Sequence, residues 1–390
     1  MQASRAFIQG SVMIANVVIR TDSSLNIGTG HVMRCLALAE SLRAGGASVC
    51  FICRELPGNL CNLIEAERFK VHRLLMSASV TPHANGGGLA SADRRWLEGH
   101  SWQLDAKQTN AILAGLLRPI DWLVVDHYGL DREWEQTVRP QGGRILVIDD
   151  LANRPHDCDL LLDQNLQEDP GGRYKSLVPM HCQTLFGPKY ALLRSEFRRA
   201  RTTLRRVHGT VQRILVFFGG TDSSNQTGKS LEAIRQLHHP KITVDVVVGR
   251  NNPHREELQR SYGSLRNVSL HYETENMAGL MARADLGIGA GGTTTWERCC
   301  LGLPSIVITV ATNQEPPART MGKNGALLYL GGDSGVTADS IAEAINTLMR
   351  SPSQLRALSH ASLSLVDGQG RARVTEQIML TQAERVIGLS

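Results

Sequence analysis

The sequence predicts an α/β protein in which two Rossmann-like domains face a cleft. The chain has 390 residues, more than one ordinary hydrophobic core accommodates, so two domains are expected. Short apolar runs alternate with helical segments, the pattern of parallel sheets that are covered by helices. The pattern starts again in the second half, with a glycine-rich loop after its first strand. Two halves of this kind favour a ligand site in the cleft between them.

The first half begins with the strand ANVVIR, residues 15–20, and a helix over 31–46 that ends at two glycines. A second strand covers 48–55, and a helical segment follows at 59–67. Three further apolar runs end in polar residues, which is typical of buried parallel strands. They are WLVVDHY (122–128), RILVIDD (144–150) and CDLLLDQN (158–165).

The second half repeats this order. Residues 212–237 predict a strand, a glycine loop and a helix, and residues 243–252 contain the next strand. Residues 275–312 predict a helix, a strand, a second glycine loop, a helix and a strand. The segment that joins the halves holds six arginines between Arg194 and Arg206, for which a solvated linker is the simplest interpretation.

Residues 77–108 are an insertion between a helix and a strand of the first half. A long loop near the carboxyl edge of a sheet often contacts substrate, so we predict a substrate loop here. A disordered excursion is the alternative interpretation. The two tryptophans of the insertion argue against that alternative.

The composition limits the class of partner. The net charge of +5 suits an anionic ligand such as a nucleotide phosphate. Only 5% of the residues are aromatic, which argues against a nucleic-acid surface. Among the 8 cysteines, Cys50 and Cys53 form a C-x-x-C, but in a predicted strand they point to opposite faces, so we expect neither a redox turn nor a metal site there. We expect a reducing cytoplasm rather than a disulfide framework. We expect neither a signal peptide nor a membrane span, and Met13 is a second candidate start after a flexible extension over 1–13.

Two glycine-rich loops of the second half are candidate phosphate sites. Each follows a strand and precedes a helix, so backbone N–H groups at a helix N-terminus can approach phosphate oxygens. Neither loop has the G-K-[ST] of a P-loop or the pattern G-x-G-x-x-G, so kinase or ATPase chemistry is not expected. The candidate phosphate ligands are Gly219, Gly220 and Thr221 in the first loop, and Gly291, Gly292 and Thr293 in the second.

Glu297 lies in the first turn of the helix that follows the second loop. An acid at this position stabilises the positive end of the helix dipole. The same carboxylate is also placed to accept hydrogen bonds from two ribose hydroxyls while a phosphate occupies the turn. On physical grounds both interpretations stay open.

His31 stands where the loop after the first strand becomes a helix. Arg20 and Asp22 end that strand, and Gly28 and Gly30 lead into the histidine, so we expect these residues beside a ligand. A histidine at a helix N-terminus is favoured in its neutral form, and a neutral imidazole can take a proton from water. From these residues alone, a general base and an ordinary helix start are both open.

Two further strand ends carry polar side chains. VVDHYG places Tyr128 where it can reach into the cleft, although a polar strand terminus explains it equally well. Asp149 and Asp150 raise the question of a paired-acid glycosidase or a metal site. They have no partner motif elsewhere in the sequence, so we expect neither a metal nor a cofactor.

Six motifs together resemble one enzyme family. They are RTDSSLNIGTGHVMRCLALA, VVDHYG, IDDLANRPHDCDLLLDQN, FGPKYALLRSEF, FFGGTDSSN and TNQEPPA, in this order from about residue 14 to about residue 332. The chain is similar to the UDP-2,4-diacetamido-2,4,6-trideoxy-β-L-altropyranose hydrolases, which are sugar-nucleotide hydrolases of the pseudaminic acid pathway. More distantly it resembles the UDP-N-acetylglucosamine transferase of peptidoglycan synthesis. Both resemblances imply the two-lobed GT-B fold.

The resemblance implies catalytic roles for three residues. His31, from the family's G-x-G-H loop, corresponds to the base proposed to activate water. Tyr128, from D-H-Y-G, lines the sugar pocket, and Asn313 lies beside the sugar. Gln314 follows Asn313 in the family's N-Q pair and is expected to bind substrate.

The resemblance also implies the nucleotide side of the site and the domain limits. Glu297 is expected on the ribose, and Arg194 on the diphosphate or the sugar. An N-terminal domain that carries the base is expected over 14–200, and a UDP-binding domain over 201–370. A C-terminal helix over 371–390 is expected to pack back on the N-terminal domain.

The hypothesis that follows is hydrolysis of a UDP-sugar. Water attacks the anomeric carbon, UDP leaves, and the configuration inverts. UDP is already a good leaving group, so one acid–base residue is sufficient. A GT-B glycosyltransferase with a second acceptor is one alternative, and a nucleotide-sugar-binding protein without catalysis is another. The partner expected is the small UDP-sugar, and the oligomeric state stays open, with a monomer included.

Overall fold

The computed structural model describes residues 15–75, 97, 99–140, 143–204, 209–272 and 274–387. The predicted extension over 1–13 lies outside these residues, and so does the insertion from residue 77 to residue 98, apart from Leu97. The described part of the chain forms two α/β domains, each built on a parallel sheet. The predicted fold class is therefore confirmed.

The first domain contains a seven-stranded sheet. Its strands are β1 (Asn16–Thr21), β2 (Ser48–Arg54), β3 (Lys70–Leu74), β4 (Trp122–Asp126), β5 (Arg144–Ile148), β6 (Leu160–Asp163) and β7 (Gln183–Phe186). They lie in the order β3-β2-β1-β4-β5-β6-β7, and neighbouring strands are parallel. The chain thus starts in the middle of the sheet, moves outward on one side, and then returns to build the other side.

Helices connect these strands as a parallel sheet requires. They are α1 (Gly30–Ala44), α2 (Cys61–Ala66), α3 (Trp102–Ala114), α4 (Arg132–Val138) and α5 (Pro170–Tyr174), with a 3₁₀ turn at Pro188–Tyr190 and α6 (Ser195–Thr203) after it. The helix predicted over 31–46 stops at Ala44, where Gly45 ends it as expected. The end of the insertion that is described belongs to α3, which Ser101 caps by accepting from the backbone N–H of Leu104.

The second domain contains a six-stranded parallel sheet. Its strands are β8 (Arg213–Phe217), β9 (Thr243–Val248), β10 (Val268–Tyr272), β11 (Leu286–Ala290), β12 (Ser305–Thr309) and β13 (Leu328–Gly332), in the order β10-β9-β8-β11-β12-β13. Its helices are α7 (Gln226–Gln236), α8 (Arg255–Tyr262), α9 (Met277–Arg283), α10 (Thr294–Cys300), α11 (Glu315–Lys323), α12 (Ala338–Met349), α13 (Pro352–Leu365) and α14 (Gly370–Ile387), with a 3₁₀ turn at Thr312–Gln314. None of the helices in the described residues is long and apolar enough to cross a membrane.

Both sheets are covered by apolar side chains on both faces. In β1, Val17 and Ile19 join one hydrophobic cluster, and Val18 joins another on the opposite face. This follows from the alternation of side chains along a strand. In the second sheet, Ile214 and Leu215 of β8 are divided between two clusters in the same way. Burial on both faces explains why these strands are uninterrupted apolar runs in the sequence.

The strand order reverses direction at one point in each sheet. β1 lies between β2 and β4, and β8 lies between β9 and β11. In open parallel sheets a ligand crevice forms outside the carboxyl ends of the strands at such a point. The loop that leads to His31 follows β1, and the two glycine-rich loops follow β8 and β11. The topology therefore brings all three loops to ligand-binding edges.

Each half of the chain gives one helix to the other domain. Phe197 of α6 is buried in a cluster of second-domain residues, and Arg201 donates 2.7 Å to the carbonyl of Cys300. In return, α14 packs along α1, where Thr375 donates 2.8 Å to the hydroxyl of Ser41. The two segments that pass between the domains touch each other, because a Cβ on Gly370 would overlap the backbone of residues 190 and 191. The domain limits at 200 and 370 stay predictions.

Gly249, directly after β9, provides a test of the close packing behind the first glycine loop. A Cβ at this position would overlap the carbonyl oxygens of Gly219 and Gly220. We expect Gly249→Ala to lower the free energy of unfolding by about 1–3 kcal/mol, because backbone must move to make room. Gly171→Ala is the control, since a Cβ there meets no described atom within 4 Å. Equal denaturant midpoints for both variants would contradict this account of the loop.

Candidate active site

The loops of the two domains meet across the cleft. A Cβ on Gly30 would lie 3.2 Å from Oγ1 of Thr293, which begins α10 in the opposite domain. A Cβ on Gly220 would lie 3.2 Å from Cγ2 of Thr29. The loop before α1 therefore faces both glycine-rich loops of the second domain, and the small residues predicted from the sequence permit this approach.

The loop before α1 is held in shape by its own residues. The hydroxyl of Ser24 accepts from the backbone N–H groups of Asn26 and Ile27, at 3.1 and 2.9 Å. Gly28 has φ of +79°, a conformation that L side chains rarely adopt. This turn delivers Gly30 and His31 to the first positions of α1.

His31 is buried, with 7% of its surface exposed. Its Nδ1 lies 3.9 Å from Oδ1 of Asp126, and has no hydrogen-bond partner among the described residues. Its ring meets the ring of Tyr128 edge-on, with centroids 4.5 Å apart. Burial lowers the pKa of His31 to about 4, although the charge of Asp126 opposes this shift. The imidazole is therefore neutral at neutral pH, as a general base must be.

A hydrogen-bonded network connects the surroundings of His31 to the second domain. Arg34 donates to both oxygens of Asp126 at 2.7 Å, and lies 3.3 Å from Asp150. The hydroxyl of Tyr128 donates 2.8 Å to Asp150, and accepts 3.2 Å from the side-chain amide of Asn313. The structure thus brings together the three predicted catalytic residues, from a helix start, a strand end and the opposite domain.

Arg20 and Asp22 are fully buried beneath the loop rather than in the cleft. Arg20 lies on the same face of β1 as Val18, under α3, where it bonds Asp22 and Asp105 at 2.6 Å each. Burial alone would raise the pKa of both acids, but the Arg20 guanidinium outweighs it and holds both pKa values below their usual range. Their placement does not support the expected contact with a ligand, so we reassign them to a buried network that supports the loop.

The first glycine loop of the second domain is anchored by Asp222. The carboxylate accepts from the backbone N–H groups of Gln226 and Thr227 at 2.9 Å, which fixes the start of α7. Gly219, Gly220 and Thr221 precede it and remain partly exposed. The loop lies directly before α7, whose helix dipole favours an anion at this end.

The second glycine loop is supported from below by two side chains. Arg298 is buried and donates 2.7 Å to the carbonyl of Ala290, and burial lowers its pKa to about 10. Gln314 accepts from the backbone N–H of Gly291 at 3.2 Å and of Val310 at 3.1 Å. Gln314, which was expected to bind substrate, therefore shapes the second glycine loop, and its contact with substrate stays a prediction.

Gly291, Gly292 and Thr293 are partly exposed in this loop. The side chain of Thr293 makes no capping hydrogen bond to α10 in the described structure, which leaves its hydroxyl available to a ligand. A buried guanidinium below and a helix start beside the loop both favour a bound anion.

Glu297 is buried next to Arg194 at the end of the second loop. Nη2 of Arg194 lies 3.4 Å from one carboxylate oxygen of Glu297, and Nη1 lies 2.9 Å from Glu196. The second oxygen of Glu297 has no hydrogen-bond partner in the ranges that the structure describes. Burial raises the pKa of Glu297, and Arg194 opposes the shift. An acid with one oxygen paired and the other unpaired is suited to accept from a hydroxyl.

A cavity of about 680 Å³ lies between the two domains. It is lined in the first domain by residues that include Glu168 and Arg173, and in the second by residues that include Thr312, Glu315 and Lys323. An exposed ion pair of 2.8 Å between Lys323 and Glu168 spans the two walls. The cavity is large enough for a sugar-sized ligand.

Three residues of the two buried networks, around His31 and around Arg20, are not evident as site residues from the sequence. Arg34 follows His31 by three positions, so it leaves the same side of α1. Asp105 lies in the insertion, whose path the sequence does not give. Asp150 was considered for a metal or an acid pair, whereas the structure pairs it with Arg34 and Tyr128. Among the residues that the structure describes, no three or more His, Cys, Asp or Glu side chains form a metal-binding group.

Comparison with known proteins agrees with this architecture. Residues 214–378 match the glycosyltransferase family 28 C-terminal domain. The UDP-2,4-diacetamido-2,4,6-trideoxy-β-L-altropyranose hydrolase of Campylobacter jejuni is 28% identical over 311 residues, which are 79% of this chain and 97% of that protein. The spore coat polysaccharide biosynthesis protein SpsG of Bacillus subtilis is 33% identical over 192 residues, 48% of this chain and 56% of that protein.

Among solved structures, MurG of Acinetobacter baumannii aligns over 94% of this chain and 99% of its own, with a TM-score of 0.59 and 16% identity. At this identity the similarity concerns the fold alone. The predicted GT-B fold and the predicted resemblance to the hydrolase are both confirmed.

The buried network around Arg20 gives a testable prediction. Arg20→Met leaves Asp22 without its cation and is expected to lower the free energy of unfolding by about 3–5 kcal/mol at neutral pH. Because both acids have lowered pKa values, the difference from the wild type should shrink as the pH falls and the carboxyls become protonated.

Arg73→Met is the matched control, since Arg73 pairs with Glu55 and Glu65 at the surface and contributes about 1 kcal/mol or less. Denaturant unfolding between about pH 2 and pH 7 measures both variants, because the carboxyls become protonated only below about pH 4. A loss for Arg20→Met that is as small as that of the control would show that the network does not stabilise the domain.

Proposed function

Starting from a GT-B chain whose resemblance to a sugar-nucleotide hydrolase spans most of its length, we propose that this protein releases UDP from UDP-2,4-diacetamido-2,4,6-trideoxy-β-L-altropyranose. Water attacks the anomeric carbon and the configuration inverts. The observation that supports this most directly is the buried, neutral His31 at the start of α1, in contact with Tyr128 and facing the glycine loops of the second domain. The sugar product fits a step of pseudaminic acid biosynthesis, and through it flagellin glycosylation.

The second domain holds the nucleotide in this proposal. Backbone N–H groups of the two glycine loops, at residues 219–221 and 291–293, bind the diphosphate, and the buried Arg298 beneath one loop adds positive charge. Glu297 accepts from the ribose through its unpaired oxygen. Arg194 orients Glu297 rather than reaching the diphosphate, which is consistent with their 3.4 Å contact.

The first domain activates the water. Nδ1 of His31 faces Asp126, so Nε2 takes the proton of the attacking water. The bond from the anomeric carbon to the phosphate oxygen breaks, and UDP leaves with the electron pair. Asp126 stabilises the imidazolium that forms. No general acid is required because the β-phosphate carries the negative charge, which the glycine loops stabilise.

Tyr128 and Asn313 close the sugar side of the site in this scheme. Their hydrogen bond of 3.2 Å joins the two domains beside His31. A sugar held there would present its anomeric carbon between the base and the diphosphate. Orientation of this kind lowers the barrier by removing freedom that the reactants would otherwise lose at the transition state.

A glycosyltransferase is the second candidate, and the match of residues 214–378 to a glycosyltransferase domain favours it. Such an enzyme uses the same nucleotide site and the same base, but an acceptor hydroxyl replaces water. Free UDP released in the absence of any acceptor distinguishes hydrolysis from transfer. A nucleotide-sugar-binding protein would release no UDP at all.

The hydrolysis is tested in water enriched in ¹⁸O with the UDP-sugar as the sole substrate. We expect UDP release with one label in the sugar product and none in UDP, because attack occurs at carbon. Mass spectrometry of both products measures this. Label in UDP would refute attack at the anomeric carbon, and no UDP release without an acceptor would favour the transferase.

His31→Asn tests the base in the same assay. We expect turnover to fall by about 10²–10⁴-fold, the usual contribution of a general base, with little change in UDP binding. His254→Asn is the control, because His254 is a partly exposed residue of the second domain that bonds the carbonyl of Ser223. Full activity of His31→Asn would reject the assignment of the base.

A further inference from the structure

Arg34 lies beside the candidate base, and the reaction proposed above gives it no chemical step. It follows His31 by three residues on α1, so both side chains leave the same side of the helix. Its guanidinium is buried and donates two hydrogen bonds of 2.7 Å to Asp126. A third nitrogen lies 3.3 Å from Oδ2 of Asp150. One cation thus joins two carboxylates at the ends of neighbouring strands, β4 and β5.

Each of these carboxylates contacts a residue of the candidate site. Oδ1 of Asp126 lies 3.9 Å from Nδ1 of His31. Oδ1 of Asp150 accepts the hydroxyl of Tyr128 at 2.8 Å, and Tyr128 in turn accepts from Asn313 of the opposite domain. His31 and Tyr128 also contact each other edge-on. Arg34 is therefore the common partner of both branches of the network.

We propose that Arg34 is a positioning residue that holds His31 and the Tyr128–Asn313 pair in one geometry through Asp126 and Asp150. This inference deepens the proposed hydrolysis and rests on it. A planar guanidinium makes two parallel bonds to one carboxylate while a further N–H reaches a second acid, whereas the ammonium of lysine is a single point of charge. The fork of Arg34 fixes the relative orientation of the two carboxylates and therefore of the groups that they contact.

The charges around His31 give Arg34 a second effect. The ionisable groups that face the ring are Arg34 on α1, Asp126, His127 and Tyr128 at the end of β4, and Asp150 after β5; Asn313 from the second domain is uncharged. Burial lowers the pKa of His31 most, the two acids oppose this, and Arg34 adds to the lowering. Arg34 neutralises part of the charge of Asp126, so this acid draws a proton onto the imidazole less strongly. Asp126 contacts Nδ1 at 3.9 Å without a hydrogen bond.

Removal of the guanidinium leaves Asp126 as an unpaired carboxylate beside the ring. The pKa of His31 then rises, and the base is protonated over a wider range of acidic pH. Since the base acts in its neutral form, the acidic limb of kcat/KM moves to higher pH. Removal of Asp150 takes away a negative charge that raises the pKa of His31, so in that variant the acidic limb moves to lower pH. The acidic limb of kcat/KM therefore moves in opposite directions in the two variants, which an effect on folding alone does not produce.

The test compares Arg34→Met, Arg34→Lys and Asp150→Asn with the wild type in UDP release across pH. For Arg34→Met we expect the acidic limb of kcat/KM to move to higher pH by about one unit or more. We expect kcat to fall about 100-fold with KM little changed, because misplaced groups slow the chemical step. Arg34→Lys should keep the limb near that of the wild type, since the charge remains, while kcat stays reduced because the fork is lost.

Arg154→Met is the matched control. Arg154 is a buried arginine of the same domain that pairs with Asp149 at 2.7 Å, and its described contacts do not include Asp126 or Asp150. We expect this variant to lose stability without a shift of the acidic limb. An equal shift in Arg34→Met and Arg154→Met would overturn the proposal, and so would an unshifted limb in folded Arg34→Met.

Titration of the His31 ring by NMR tests the inference without any catalysis. The His31→Asn variant assigns the resonance. We expect the wild-type ring to stay neutral to about pH 4 and the Arg34→Met ring to protonate at higher pH. If the substrate is not hydrolysed but these titrations differ as expected, the reaction is wrong and the role of Arg34 stands. Identical titrations of the His31 ring in the wild type and in Arg34→Met refute that role. If Arg34→Met does not fold, the variants Arg34→Lys and Asp150→Asn test the role instead.

Discussion

Close contact between the loops of the two domains is the constraint on which the rest of the site depends. Gly30 meets Thr293, and Thr29 meets Gly220, at separations that leave little room for larger side chains. These contacts place a helix N-terminus from each domain on opposite walls of one narrow space. In the proposed reaction, the base lies on one wall of this space and the anion site lies on the other.

Much of the fold and part of the site can be predicted from the sequence. Uninterrupted apolar strands and glycine stops indicate two parallel sheets because burial on both faces leaves that pattern. The loops that follow β1, β8 and β11 can be located in the sequence for the same reason. The structure also brings His31, Tyr128 and Asn313 together. What the sequence does not give is the direction of each side chain. Arg20 and Asp22 turn inward because Arg20 shares the face of Val18, and Gln314 turns back onto the loop before it.

The buried charges are the second feature that sequence alone does not give. Arg34 resembles any other arginine of a helix until the sheet order places Asp126 and Asp150 beside it. Neighbouring strands β4 and β5 are separated in the chain by a helix, so their ends become partners through topology rather than through local spacing. Charge networks of this kind depend on long-range contacts, and these are what a single sequence specifies least directly.

The exchange of α6 and α14 gives the molecule a particular mechanical character. Two covalent connections join the lobes, and they run side by side where Gly370 packs against the backbone of residues 190 and 191. Because the two connections lie side by side, we expect relative movement of the domains to be a rotation about this line. The second glycine loop leads into α10, where Glu297 contacts Arg194 directly before α6. Neither domain is complete if the chain is cut between its halves, because α6 packs in the second domain and α14 packs on the first.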